Sequence, residues 1–80
     1  MKQLVTSSKQ LGLAVKRARK LKGLNQEEAG RPFKILQSTV SSIEHGAPGT
    51  QIETLFRMFA ALDLELVVQT KEDVNSDEGW

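Results

Sequence analysis

The sequence predicts an all-α bundle of four to five helices with one C-terminal β-strand. Apolar residues recur at three- and four-residue spacing through 11–21 and again through 52–62, the period of a helix face packed on a core. Gly23, Asn25, Gly46 and Pro48 are stop and start signals that cut the chain into helix-sized pieces. After Leu62 the period changes from 3.6 to 2, with Leu64, Leu66 and Val68 alternating with Glu65, Val67 and Gln69, which reads as a single strand.

In the first helix, Ser7 or Ser8 can serve as N-cap. Leu11, Ala14, Val15, Ala18 and Leu21 form the apolar stripe, and Gly23 fits the C′ position that ends it. Asn25 is the expected N-cap of the second helix, with Glu27 and Glu28 favourably placed in its first turn. Pro32 would remove the bond to the Glu28 carbonyl and clash with it, so this helix should be short or bent near Gly30-Arg31. Gly30 is expected where another helix crosses closely. The third helix should run from about Gln37 to His45, hiding Val40 and Ile43. Gly46-Ala47-Pro48-Gly49 reads as a loop. Thr50 with Glu53 three residues on reads as the capping box of a fourth helix, whose apolar face is Ile52, Leu55, Phe56, Phe59 and Leu62.

Eighty residues is the size of one domain. There is no cysteine, so neither a disulfide framework nor a thiolate metal site, and a reducing cytoplasm is the expected location. No apolar run approaches the ~20 residues that span a bilayer, and MKQLVTSSKQ lacks the apolar region of a signal peptide. A net charge of +1 conceals a division along the chain. Residues 1–46 carry nine Lys/Arg against Glu27, Glu28 and Glu44, whereas residues 47–80 carry Arg57 and Lys71 against seven acidic groups. A basic first half points to a polyanion partner there and a different task for the second half.

The second and third helices, short and joined by a tight turn, describe a helix-turn-helix whose reading face is polar and uncharged, which makes double-stranded DNA the leading ligand. Gln26 and Gln37 each carry an amide that donates and accepts at once, the chemistry of a bidentate contact to adenine. Ser38, Thr39, Ser41 and Ser42 are short side chains suited to phosphates and the thymine methyl, with Ser41 at the edge, where it faces either DNA or the turn. Lys16, Lys20 and Lys34, with Lys9, Arg17 and Lys22 nearby in sequence, are candidate phosphate contacts. The plainer alternative for the glutamines is a solvated cap, and for the lysines a solvated helix face. His45, the only histidine, is expected to help close the third helix. No nucleophile–base pair, phosphate-binding glycine loop or metal-spaced cluster is present, so neither an enzyme nor a cofactor is expected.

The segment LNQEE…QSTVSSIEHG, in gapless register from Leu24 to Gly46, resembles the helix-turn-helix of lambda-repressor-like phage repressors and XRE-type regulators. With the first and fourth helices the resemblance covers about residues 8–63. It implies that Arg19 and Glu44 form a structural pair linking the first and third helices. The chain departs from the pattern at Ala29-Gly30, at Pro32, at Lys34 where the turn usually has glycine, and at Leu36 where the third helix usually has a Ser or Thr cap. The single strand and a tail that ends in tryptophan are similar to the HipB-type antitoxins. That likeness implies repression of the chain's own operon from an inverted-repeat operator, and a protein partner, a HipA-like Ser/Thr kinase toxin or a split version of it. The alternatives are a free-standing phage-type repressor and a protein-binding adaptor that has lost DNA binding.

These readings divide the chain into an N-terminal arm (1–7), a DNA-binding domain (8–63), a dimerisation strand (64–70) and a disordered acidic tail (71–80). A lone strand leaves its backbone groups unpaired, and pairing with its copy across a two-fold axis would satisfy them. A homodimer of this kind also sets two recognition helices about 34 Å apart, in successive major grooves. Trp80 buries nothing locally, and tryptophan is a favoured interface anchor, so it is expected to dock on the protein partner.

Overall fold

The computed structural model describes residues 2–71. Four α-helices run in the order α1 (Ser8–Leu21), α2 (Gln26–Gly30), α3 (Gln37–Glu44) and α4 (Ile52–Ala61), and a 3-10 turn at Arg31–Phe33 continues α2. The helical architecture expected from sequence is present in these residues.

Local chemistry accounts for the boundaries. The Ser7 hydroxyl accepts from the Gln10 backbone N–H at 3.1 Å, and the Gln10 side chain reaches back to accept from the Thr6 N–H at 2.6 Å. At α2 the capping box is reciprocal: Asn25 Oδ1 accepts from the Glu28 N–H and Glu28 Oε1 from the Asn25 N–H, both at 2.8 Å. Pro32 has no N–H for the Glu28 carbonyl, and from Arg31 the helix tightens into the 3-10 turn, which is where the bend was expected.

All four helical segments end in the same way. At Gly23, Lys34, Gly46 and Asp63 the chain turns left-handed, and paired bonds run back into the preceding turn. After α1, for example, Gly23 N–H donates to the Lys20 carbonyl at 3.0 Å and Leu24 N–H to the Arg19 carbonyl at 3.2 Å, a Schellman closure. At Lys34 the corresponding bonds go to Arg31 (3.1 Å) and Gly30 (2.9 Å). A lysine therefore holds φ 58°, ψ 40°, the conformation that the turn glycine ordinarily supplies.

Val15, Val40 and Met58 are fully buried at the centre, with Ala18, Ala29, Ile35, Ile43, Phe59 and Leu62 around them. α1 packs on α3, and α2 packs on both α3 and α4. Gly12 makes the α1–α3 approach possible, because a Cβ there would collide with the Ile43 and Glu44 carbonyls. At Gly30 the close neighbours are the Ile35 carbonyl and Val40 of α3.

Several expectations are corrected. Thr50 does not cap α4: its hydroxyl donates to the Ala47 carbonyl at 3.3 Å, and the cap position is Gln51, which makes no side-chain bond. The α4 core stripe is Leu55, Met58, Phe59 and Leu62, an i, i+3, i+4, i+7 set. Ile52 and Phe56 lie outside it at 64% and 49% exposure, and Leu21 at the end of α1 is also exposed. The apolar arc of α4 is wider than the single-chain core, so composition alone could not say which part would be covered. Residues 64–70, expected as a strand, form none here; no second strand is present among the described residues, and Leu66, Val67 and Val68 are exposed. The expectations for the acidic tail and for Trp80 fall on residues 72–80, outside the described part.

Candidate nucleic-acid interface

A buried ion pair fixes the geometry of this surface. Arg19 of α1 and Glu44 of α3 are nearly inaccessible, and the guanidinium grips the carboxylate with both arms, Nε–Oε2 at 2.6 Å and Nη2–Oε1 at 2.9 Å. Arg19 Nη1 also donates to the Leu24 carbonyl at 2.9 Å, which ties the chain entering α2 to the same anchor. Burial alone would raise the Glu44 pKa. The hydrogen bonds from Arg19 and Gln26, with the charges of Arg19 and Lys16, outweigh it and hold the carboxyl below its ordinary value. The hydrogen bond to Glu44 raises the Arg19 pKa against its own desolvation.

Gln26, the first residue of α2, donates from Nε2 to Glu44 Oε1 at 3.1 Å. Its Oε1 accepts from Gln37 Nε2, also at 3.1 Å. The buried charge thus sets the orientation of one amide and, through it, of a second at the start of α3. Gln37 keeps its carbonyl oxygen and one N–H for an external group, which is the donor and acceptor pair that the adenine edge requires. Leu36 provides no side-chain cap; the Thr39 N–H bonds back to the Leu36 carbonyl at 3.0 Å, and the Gln37 and Ser38 N–H groups are left for solvent or an anion.

On α3, Gln37, Ser38 and Ser42 are exposed, while Thr39 and Ser41 are half-buried at the flanks of the helix. His45 is the C-cap: its Nδ1–H donates to the Ser41 carbonyl at 2.7 Å, and the Ser41 hydroxyl is 3.5 Å from the same nitrogen. Ser41 therefore faces the end of its own helix.

The basic residues are more scattered. Lys34 is exposed in the turn between α2 and α3. Lys16 acts on the Glu44 carboxylate through its charge. Lys20 lies with Leu13, Lys16, Arg17 and Leu21 along the open side of α1. Among the described residues none of Lys16, Lys20 and Lys34 forms an ion pair. The structure thus joins Gln26, Gln37, Arg19 and Glu44 by direct bonds, and does not tie the lysines to them.

Sequence reasoning missed the Gln26–Glu44 bond, which crosses 18 positions and leaves no periodic signal. It also passed over Gly12, whose signal was a glycine within an otherwise regular helical stripe. Among the described residues there is no cluster of His, Cys, Asp or Glu that could hold a metal, and no helix is long and apolar enough to cross a membrane.

Comparison with known proteins agrees with this geometry. Residues 15–69 match the family model described as Helix-turn-helix. Antitoxin HipB of Escherichia coli O6:H1 is 30% identical over 66 residues, spanning 82% of this chain and 70% of that protein. A serine-to-alanine variant of HipB in complex with the O2 20mer superposes with a TM-score of 0.83 at 28% identity, over 90% of this chain and all of that one. HipB in a HipA–HipB–O2–O3 complex gives 0.82 at 28% identity, over 89% of this chain and all of that one. The matched relatives are regulators of the antitoxin class rather than enzymes. On the strength of the family match and of this curated relative, the chain belongs to the XRE-type helix-turn-helix family of DNA-binding regulators, as a HipB-type member.

Proposed function

We propose that this chain is a DNA-binding antitoxin that represses its own operon from an inverted-repeat operator and binds a HipA-like Ser/Thr kinase toxin. The observation that carries the DNA part is the relay Arg19–Glu44–Gln26–Gln37, which aims the free edge of Gln37 outward at the N-terminus of α3. In this reading Gln37 reads a base edge. Gln26 uses its remaining N–H on the adjacent phosphate. Ser38, Thr39, Ser41 and Ser42 contact the backbone and the thymine methyl, Ser41 least because it is turned toward His45. Lys16, Lys20 and Lys34 supply phosphate charge. Pro32, Lys34 and Leu36 leave the turn geometry intact, which weighs against an adaptor that has lost DNA binding.

The homodimer part rests on exposed apolar surface. Ile52, Phe56, Leu66, Val67 and Val68 would be covered if residues 64–70 paired antiparallel with their copy across a two-fold axis. Solved HipB complexes with operator DNA and with HipA support both partners. Trp80 is assigned to docking the kinase. The kinase reading is tested by calorimetry of the intact chain and Trp80→Ala with a HipA-like kinase: weaker binding by the variant supports it, and equal affinities oppose it.

A further inference from the structure

The open side of α1 combines two properties that the operator reading does not use together. Leu13 and Leu21 are large apolar groups that remain 53% and 69% exposed. Lys16, Arg17 and Lys20 stand between them, and the five residues line a shallow depression of about 460 Å³. None of the three cations forms an ion pair among the described residues. An apolar floor rimmed by positive charge fits an aromatic group flanked by carboxylates.

The chain itself carries such a segment. Residues 72–80 hold Glu72, Asp73, Asp77 and Glu78, no basic residue, and Trp80, the only tryptophan. The end of α4 is pinned near this helix, since Asp63 Oδ2 lies 2.6 Å from Lys22 Nζ, one residue beyond α1. From Lys71, the last described residue, to Trp80 an extended chain can span about 30–32 Å. The Leu13–Leu21 stretch of α1 is only about 12 Å long at ~1.5 Å per residue. The segment is therefore long enough to run the length of this stretch.

We propose that the Leu13–Leu21 face of α1 is an intramolecular docking site for residues 72–80 of the same chain. Trp80 lies against Leu13 and Leu21, and the acidic groups face Lys16, Arg17 and Lys20. The inference does not rest on the operator reading, but it shares Lys16 and Lys20 with it, so the docked segment and DNA would compete for these two cations. Any protein that captures Trp80 must first lift it off α1, so the contact would set a threshold for partner binding.

Trp80 is its own probe. In the full-length chain at low salt, its fluorescence emission should be blue-shifted and its acrylamide quenching slow relative to a synthetic peptide of residues 72–80. The charge reversal Arg17→Glu/Lys20→Glu, and separately Leu13→Ser/Leu21→Ser, should bring both readouts to the values of the free peptide, as should about 1 M salt in the wild type, where the Debye length falls to ~3 Å. All four positions are exposed, and circular dichroism checks that the helices persist. Wild-type fluorescence equal to that of the free peptide would overturn the proposal. So would protection that survives both α1 variants. Protection lost on dilution would place the segment on a second copy and overturn the intramolecular assignment.

Discussion

Gln37 Nε2 donates to Gln26 Oε1 at 3.1 Å, and Gln26 in turn donates to the buried Glu44 carboxylate. The amide that would meet a base is thus oriented before any DNA arrives, so part of its rotamer entropy is already spent on folding. Gln37→Ala should flatten preference at one base pair by about 1–3 kcal/mol while leaving most non-specific affinity in place. Gln26→Ala should soften the same preference without abolishing it. Binding measured across operators substituted at single positions distinguishes the two patterns.

The Arg19–Glu44 pair should matter to the fold itself. Removing one partner strands the other charge in the interior, so Arg19→Ala or Glu44→Ala should each cost about 3–5 kcal/mol in urea unfolding. The Glu44 pKa is lowered in the folded state, so the stability it contributes is present above the unfolded value of about 4.3 and is lost as pH falls below it. Glu44→Gln should flatten that acid limb, with wild type and variant converging in stability at low pH.

Lys34 separates folding from binding. A side chain in the left-handed region costs about 1–2 kcal/mol, part of which glycine returns through its larger unfolded-state entropy. Lys34→Gly should accordingly raise thermal stability modestly. If Lys34 meets a phosphate, the same change should reduce the slope of log K against log salt by about 0.9.

Gly12→Ala tests the α1–α3 approach. The new Cβ meets backbone carbonyls of Ile43 and Glu44, which cannot rotate away as a side chain could. A loss of about 1–3 kcal/mol or more is expected in chemical denaturation.

Val67→Pro removes a ladder donor from residues 64–70 and should weaken self-association. Phe56→Ser should do so as well at little cost to the monomer, because Phe56 is already half-exposed there. Sedimentation over a concentration series reads both. An unchanged dimer in both variants would move the interface to another surface.

Helix ends were largely legible in the sequence, because caps are local chemistry: Ser7, Asn25, Gly23 and Gly46 each act within a few residues. Thr50 misled because the same hydroxyl can bond backward to Ala47. Helix faces were only partly legible, since an apolar arc such as that of α4 does not reveal which part has a partner within one chain; Met58 is at the centre while Ile52 and Phe56 face outward. Residues 64–70 illustrate the same limit from the other side. Alternation encodes a readiness to pair, and pairing requires a partner strand, which is not present among the described residues. At the candidate site the residue types pointed to DNA, but the bonds linking Gln26 to both Glu44 and Gln37 depend on tertiary placement.

The most direct test of the DNA-binding reading is fluorescence anisotropy of the full-length chain on the DNA upstream of its own reading frame, against a shuffled duplex of equal length and over a salt series. Preferential binding to the upstream DNA is expected, with log K falling by about 0.9 per phosphate neutralised and the preference reduced by about 1–3 kcal/mol in Gln37→Ala. Equal affinity for both duplexes, or binding indifferent to salt, would contradict it.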